Sequence, residues 1–135
     1  MYKTVWLFRR NPAMTLEEFV DHYERSHSKF IAHLQGVRKY SRRYLTKSEN
    51  ARAGETPEFD VMMESWFDDK ASFEAAFARM TTLPVWADIV KDEERLFDRG
   101  HKGYSLGFVI ESEHETDLSS PTFQTTYEAA KLSRK

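Results

Sequence analysis

The stretch FDVMMESWF, Phe59 to Phe67, decides how this chain folds. Its side chains alternate. Phe59, Val61, Met63, Ser65 and Phe67 fall on one face, and Asp60, Met62, Glu64 and Trp66 on the other. A period of two is that of a strand with one face turned to a core. The second face is mixed rather than polar, which is the kind of surface a partner sheet can cover.

Working outward, a polar loop with Gly54 and Pro57 spans Ser48 to Pro57, and Val37 to Lys47 reads as the strand before it. The two form a hairpin. After the strand, Asp68-Asp69 caps a helix through about Met80, with Phe73, Ala76, Phe77 and Met80 at helical spacing. Pro84 fits the first turn of a further helix carrying Val85, Trp86, Ile89, Val90 and Leu96. Gly100 and Gly103 bracket a turn, and Tyr104 to Ile110 is a last strand. Residues 111–135 are polar and without clear period, so they read as a tail or arm after a domain of residues 1–110, with Phe123 and Tyr127 as its anchors.

Upstream, Tyr2 to Arg10 is rich in β-formers and is broken by Asn11-Pro12. Thr15 with Glu18 then forms a capping box. The helix it opens has apolar positions Leu16, Val20, Tyr23, His27, Phe30 and Leu34, stepped four, three, four, three, four, and Gly36 ends it. The order β-α-β-β-α-(α)-β is the split βαβ, or ferredoxin-like, pattern: an α+β fold with an antiparallel sheet and helices on one face. The bare face predicts a homodimer made sheet on sheet.

Bulk properties bound the function. A chain of 135 residues fits one domain with a real core. Hydrophobic residues at 40% and charged ones at 31% indicate a globular chain. A net charge of −2 offers nucleic acid or an anionic membrane no electrostatic attraction. No apolar run approaches the roughly 20 residues of a membrane span, and MYKTVWLFRR is too short and too basic at its end for a signal peptide. The absence of cysteine excludes disulfides, zinc–thiolate sites and a thiol nucleophile, and suits a reducing cytoplasm.

His27 is the residue that stands out. It lies within the apolar stripe, whereas His22 and His33 are five and six positions away and fall on a solvated face. A histidine turned to the sheet titrates near neutrality and can exchange protons there. The three histidines do not share a face, so no metal site is expected. Tyr40 can donate a hydrogen bond to an oxygen that gains charge. Ser65, Met63, Trp6 and Tyr23 are expected to contact substrate, and Arg42 to offer a bidentate fork to a carboxylate. Asp60 and Glu64 share the opposite face and are expected to pair with Arg42 or Arg43.

Five segments carry a resemblance: FRRNPAMTLEEF, YERSHSKF, LQGVRKY, ESWFDD and VKDEERLFD. In this order and spacing they resemble the EthD family of dimeric α+β barrel proteins over about the first 110 residues. The family includes methylmuconolactone methylisomerases, whose pattern has a helix histidine and, thirteen residues later, a strand tyrosine. The matching positions are His27 and Tyr40. Where that pattern has Glu-Cys-Trp-Phe, this chain has Glu64-Ser65-Trp66-Phe67, so Ser65 supplies a hydroxyl in place of a thiol. The resemblance implies a dimer and a cofactor-free isomerase, cyclase or lyase step on a small ring or carbonyl compound. A cofactorless monooxygenase and a non-catalytic binding protein are the rival expectations.

Overall fold

The computed structural model describes residues 1–46, 57–99 and 104–111. The chain runs β1 (Tyr2–Phe8), α1 (Leu16–Arg25), a 3-10 helix (His27–His33), β2 (Lys39–Tyr44), β3 (Val61–Phe67), α2 (Lys70–Met80), α3 (Val85–Leu96) and β4 (Tyr104–Phe108). The four strands form one antiparallel sheet in the order β2-β3-β1-β4. This is the expected ferredoxin-like α+β fold. The expected loop over 48–56, the turn between Gly100 and Gly103, and the tail beyond Glu111 lie outside the described residues.

The parity read from the sequence holds. Val61, Ser65 and Phe67 are buried under the helices, and Met63 is partly so. The capping box is complete: Thr15 Oγ1 accepts from Glu18 N–H at 3.1 Å, and the Glu18 carboxylate accepts from Thr15 N–H at 3.0 Å. Asp69 caps α2 by accepting from Ser72 N–H at 2.7 Å. Asn11 ends β1 and also closes α3, its amide donating to the Arg95 carbonyl and its N–H to that of Leu96.

The long first helix is corrected. It stops at Arg25, and the chain continues from His27 as a tighter 3-10 helix. The run Arg25-Ser-His-Ser28 explains the break. Serine side chains compete with the helix ladder, and Ser28 Oγ donates back to the Glu24 carbonyl at 2.8 Å. Ser26 sits at φ −124°, ψ −62°, off the helical path. The buried face of α1 is also rotated from the expected stripe. Phe19 and Tyr23 are buried, while Leu16 and Val20 are only partly covered.

The core gathers Phe8, Phe19, Tyr23, Val61, Leu96 and Phe97. Phe8 and Phe97 stack at 4.2 Å, and Phe19 meets Tyr23, Tyr44 and Phe97 edge-on. On the other side of the sheet, Trp66 is flanked by Lys3 and Lys39, whose ammonium groups lie 3.7 and 4.4 Å from its ring centre. Glu64 accepts from the Trp66 indole and pairs with Arg43 at 3.7 Å. Asp60 pairs instead with Arg10, through its backbone N–H at 2.8 Å and its guanidinium at 3.4 Å.

Candidate functional site

Between the sheet and the helices lies a cavity with about 90 Å³ of space open to the centre of a water molecule. On that measure a single water needs only about 10–15 Å³. Its floor is a row of side chains set by strand register. Tyr40 pairs with Ser65, and Ser65 with Thr4, so three hydroxyl residues cross β2, β3 and β1 side by side. Thr4 in turn pairs with Phe108 on β4. Thr4 Oγ1 donates to Ser65 Oγ at 3.5 Å, and Ser65 Oγ points on to Met63 Sδ at 3.4 Å. Trp6 and Met63 complete the floor, and Tyr23, His27 and Trp86 descend from the helices.

The cavity therefore brings together His27, Tyr40, Ser65, Trp6, Met63 and Tyr23, all of which the sequence had singled out. It does not include Arg42. That guanidinium makes the expected fork, but with Glu24 of α1, at 2.9 and 2.8 Å. Glu24 also accepts from the Tyr44 hydroxyl at 2.8 Å. Arg42 thus ties β2 to α1 and covers the Tyr40 ring at 4.8 Å, rather than holding a substrate carboxylate.

His27 is 9% exposed and stands edge-on to Tyr23, Phe30 and Phe97. Its Nδ1 lies 2.8 Å from Asp92 Oδ2. Asp92 Oδ1 lies 2.8 Å from His22 Nε2, so one carboxylate of α3 holds two imidazoles. His22 is therefore partly buried on Asp92, not on a solvated face as its spacing predicted. The break at Ser26 resets the rotation between positions 22 and 27, which a continuous helix would hold apart.

An ionised carboxylate only accepts, so Nδ1 of His27 carries the proton and Nε2 keeps a lone pair. Burial raises the cost of charging Asp92, but the bonds from His22 and His27 outweigh it and hold its carboxyl below the usual range. Burial dominates at His27, pushing its pKa down against the pull of Asp92. Burial pushes Tyr40 up and Tyr23 well up, and the two hydroxyls are coupled to each other. At neutral pH the cavity thus presents a neutral imidazole and neutral phenol donors. Among the described residues, no three metal-ligating side chains converge.

Asp92, Thr4 and Glu93 were missed. Each left a trace. Thr4 shares strand parity with Trp6, and Ile89 and Leu96 require an inward residue at 92 or 93, where the sequence offers only acids.

The comparisons place the chain in a family. Residues 11–100 match the EthD domain, most of the chain, and the protein belongs to the EthD family. Solved structures agree on the fold. An EthD family protein from Bacillus halodurans is 23% identical, with 82% of this chain and 99% of that one aligned at a TM-score of 0.56. An EthD-like protein from Ralstonia eutropha is 16% identical, with 89% and 95% aligned at 0.58. A dimeric ferredoxin-like protein of unknown function from Thermobifida fusca is 15% identical, with 82% and 90% aligned at 0.53. No curated protein matches the chain.

Proposed function

We propose that this EthD protein is a cofactor-independent proton-transfer catalyst, an isomerase, cyclase or lyase acting on a small ring or carbonyl compound. The observation that carries the reading is the Asp92–His27 pair, 2.8 Å apart, at a cavity that also holds Tyr40. His27 Nε2 removes a proton from carbon beside a carbonyl. The electron pair moves onto the carbonyl oxygen, where Tyr40 donates a hydrogen bond. Protonated His27 then returns the proton to another carbon, or to a leaving group. Asp92 holds the imidazole in the tautomer that keeps Nε2 basic and balances the charge that forms. Trp6, Met63 and the phenylalanines of the wall orient the ring and exclude water.

The working unit proposed is a cytoplasmic homodimer joined through the open sheet face, built from a domain of residues 1–110. The half-covered Val5, Leu7 and Met62 on that face support it, as does the dimeric state of the Thermobifida relative. The experiment is hydrogen–deuterium exchange by NMR on a panel of cyclic ketones and lactones in D₂O. Exchange beside the carbonyl that His27→Gln abolishes is the expected result. Exchange unchanged in a folded His27→Gln protein overturns the assignment, and oxygen uptake with a phenolic substrate would move the chemistry to monooxygenation.

A further inference from the structure

We infer that His22 is a positioning residue for the cavity base: it holds the far oxygen of Asp92 and thereby fixes the ring of His27. The inference rests on the proton-transfer reading for its effect on rate, and on geometry alone for its effect on the ring. Neither His22 nor Asp92 is among the described residues that line the cavity, so His22 acts on the site through Asp92.

The two histidines take one oxygen of Asp92 each. Oδ1 lies 2.8 Å from His22 Nε2, and Oδ2 lies 2.8 Å from His27 Nδ1. A carboxylate bonded at one oxygen turns about its Cβ–Cγ bond and can offer either oxygen. Bonded at both, it has one orientation left. The His22 contact therefore selects the oxygen that meets His27 and the angle at which it does so. The side chain of Asp92 is 17% exposed, so a carboxylate released by His22 has water to turn toward.

The backbone is shaped for this convergence. In a continuous helix, positions five apart point about 140° from each other, too far to meet on one carboxylate. The chain leaves the helical path at Ser26. The His22 carbonyl accepts a last bond of α1 from Ser26 N–H at 2.9 Å, and His27 opens the 3-10 helix. Each of the two helices thus sends one imidazole to the same residue of α3. Satisfying the Nδ1–H of His27 needs Asp92 alone, and the second ring adds a fixed orientation. Burial pushes the Asp92 carboxyl up, and the bond from His22 is foremost among those that bring it below the usual range. His22 therefore also keeps Asp92 an acceptor.

The test is ¹⁵N NMR of the His27 ring in the full chain at neutral pH, with deuterium exchange on the panel of cyclic ketones and lactones as a second readout. His22→Leu keeps bulk and loses the donor. Checked for folding by circular dichroism, it should move His27 from mainly Nδ1–H toward a mixture of tautomers and slow exchange at least threefold. His22→Gln, whose amide can donate where Nε2 lies, should restore both. In an Asp92→Ala background no carboxylate joins the rings, and His22→Leu should change neither. A His27 tautomer unmoved in folded His22→Leu overturns the inference, as does an equal shift with and without Asp92. If no compound exchanges, the ring signature still decides the positioning role, and only the catalytic reading falls.

Discussion

Asp92 Oδ2 lies 2.8 Å from Nδ1 of His27, joining the middle of α3 to the first residue of the 3-10 helix. This contact fixes which nitrogen of the ring is basic, and its removal has readable consequences. In Asp92→Asn the acceptor is replaced by an amide, and the preference for the Nδ1–H tautomer falls. ¹⁵N NMR of the imidazoles should show His27 moving from mainly Nδ1–H to a mixture. On any ketone whose exchange the protein catalyses, His27→Gln should cost about 10²–10⁴-fold. Asp92→Asn should cost less, since the base itself remains. An unchanged His27 tautomer in Asp92→Asn would refute the orienting role.

Stability should fall on acidification, and the direction follows from both partners. His27 has a depressed pKa when folded, so below its ordinary value of about 6.5 the unfolded chain binds a proton that the folded chain resists. Asp92 is also depressed, so its contribution is complete above the ordinary carboxylate range and is lost as pH falls through its folded pKa. From about pH 6.5 downward, His27 contributes a slope of at most about 1.4 kcal/mol per pH unit. Urea denaturation at a series of pH values should show a shallower decline for His27→Gln than for the unmodified chain between pH 6.5 and 5. Parallel declines would count against a buried neutral imidazole.

The rotated face of α1 predicts an asymmetry that the helical stripe does not. Phe19 is fully buried against Tyr23, Tyr44 and Phe97, whereas Leu16 is partly exposed. Phe19→Ala should lower stability by about 3–5 kcal/mol. Leu16→Ala should lower it by clearly less, because its burial is incomplete. Thermal or urea unfolding of both variants decides the order, and a larger loss at Leu16 would show the packing to be misread.

The open sheet face should carry the subunit contact. Met62 sits there beside Leu7 and Arg43 in register. Met62→Lys adds a charge whose burial across an interface is costly, while in a single chain it meets solvent. Sedimentation velocity should find the unmodified chain as a dimer and Met62→Lys as a monomer with unchanged helix content. A variant that stays dimeric would move the contact elsewhere.

Much of this was legible in the sequence because strands keep count simply. Register and parity survive any length of ladder, so Met63 and Ser65 were placed under the helices from alternation alone, whereas Tyr40 was matched through the family resemblance. Helical arithmetic is more fragile. It holds only while the helix is continuous, and one off-path residue, Ser26, undid the separation of His22 from His27. Asp92 was obscured for another reason: a charged residue on a helix is normally a solvated one, and only the gap between Ile89 and Leu96 marked it as inward. Arg42 was placed on the correct face but given the wrong partner, since Glu24 is eighteen residues away and meets it only once α1 lies across β2.

The row Tyr40, Ser65, Thr4, Phe108 has a head and a tail. Three hydroxyls line the cavity floor, and the phenyl that follows them lies exposed outside it, so the floor is polar along this row and apolar at Trp6 and Met63. A flat ring with a single oxygen gains a partner in one orientation and loses it when turned end for end. In the proton-transfer function proposed above, the handedness of the product would be chosen at docking, before proton transfer at His27.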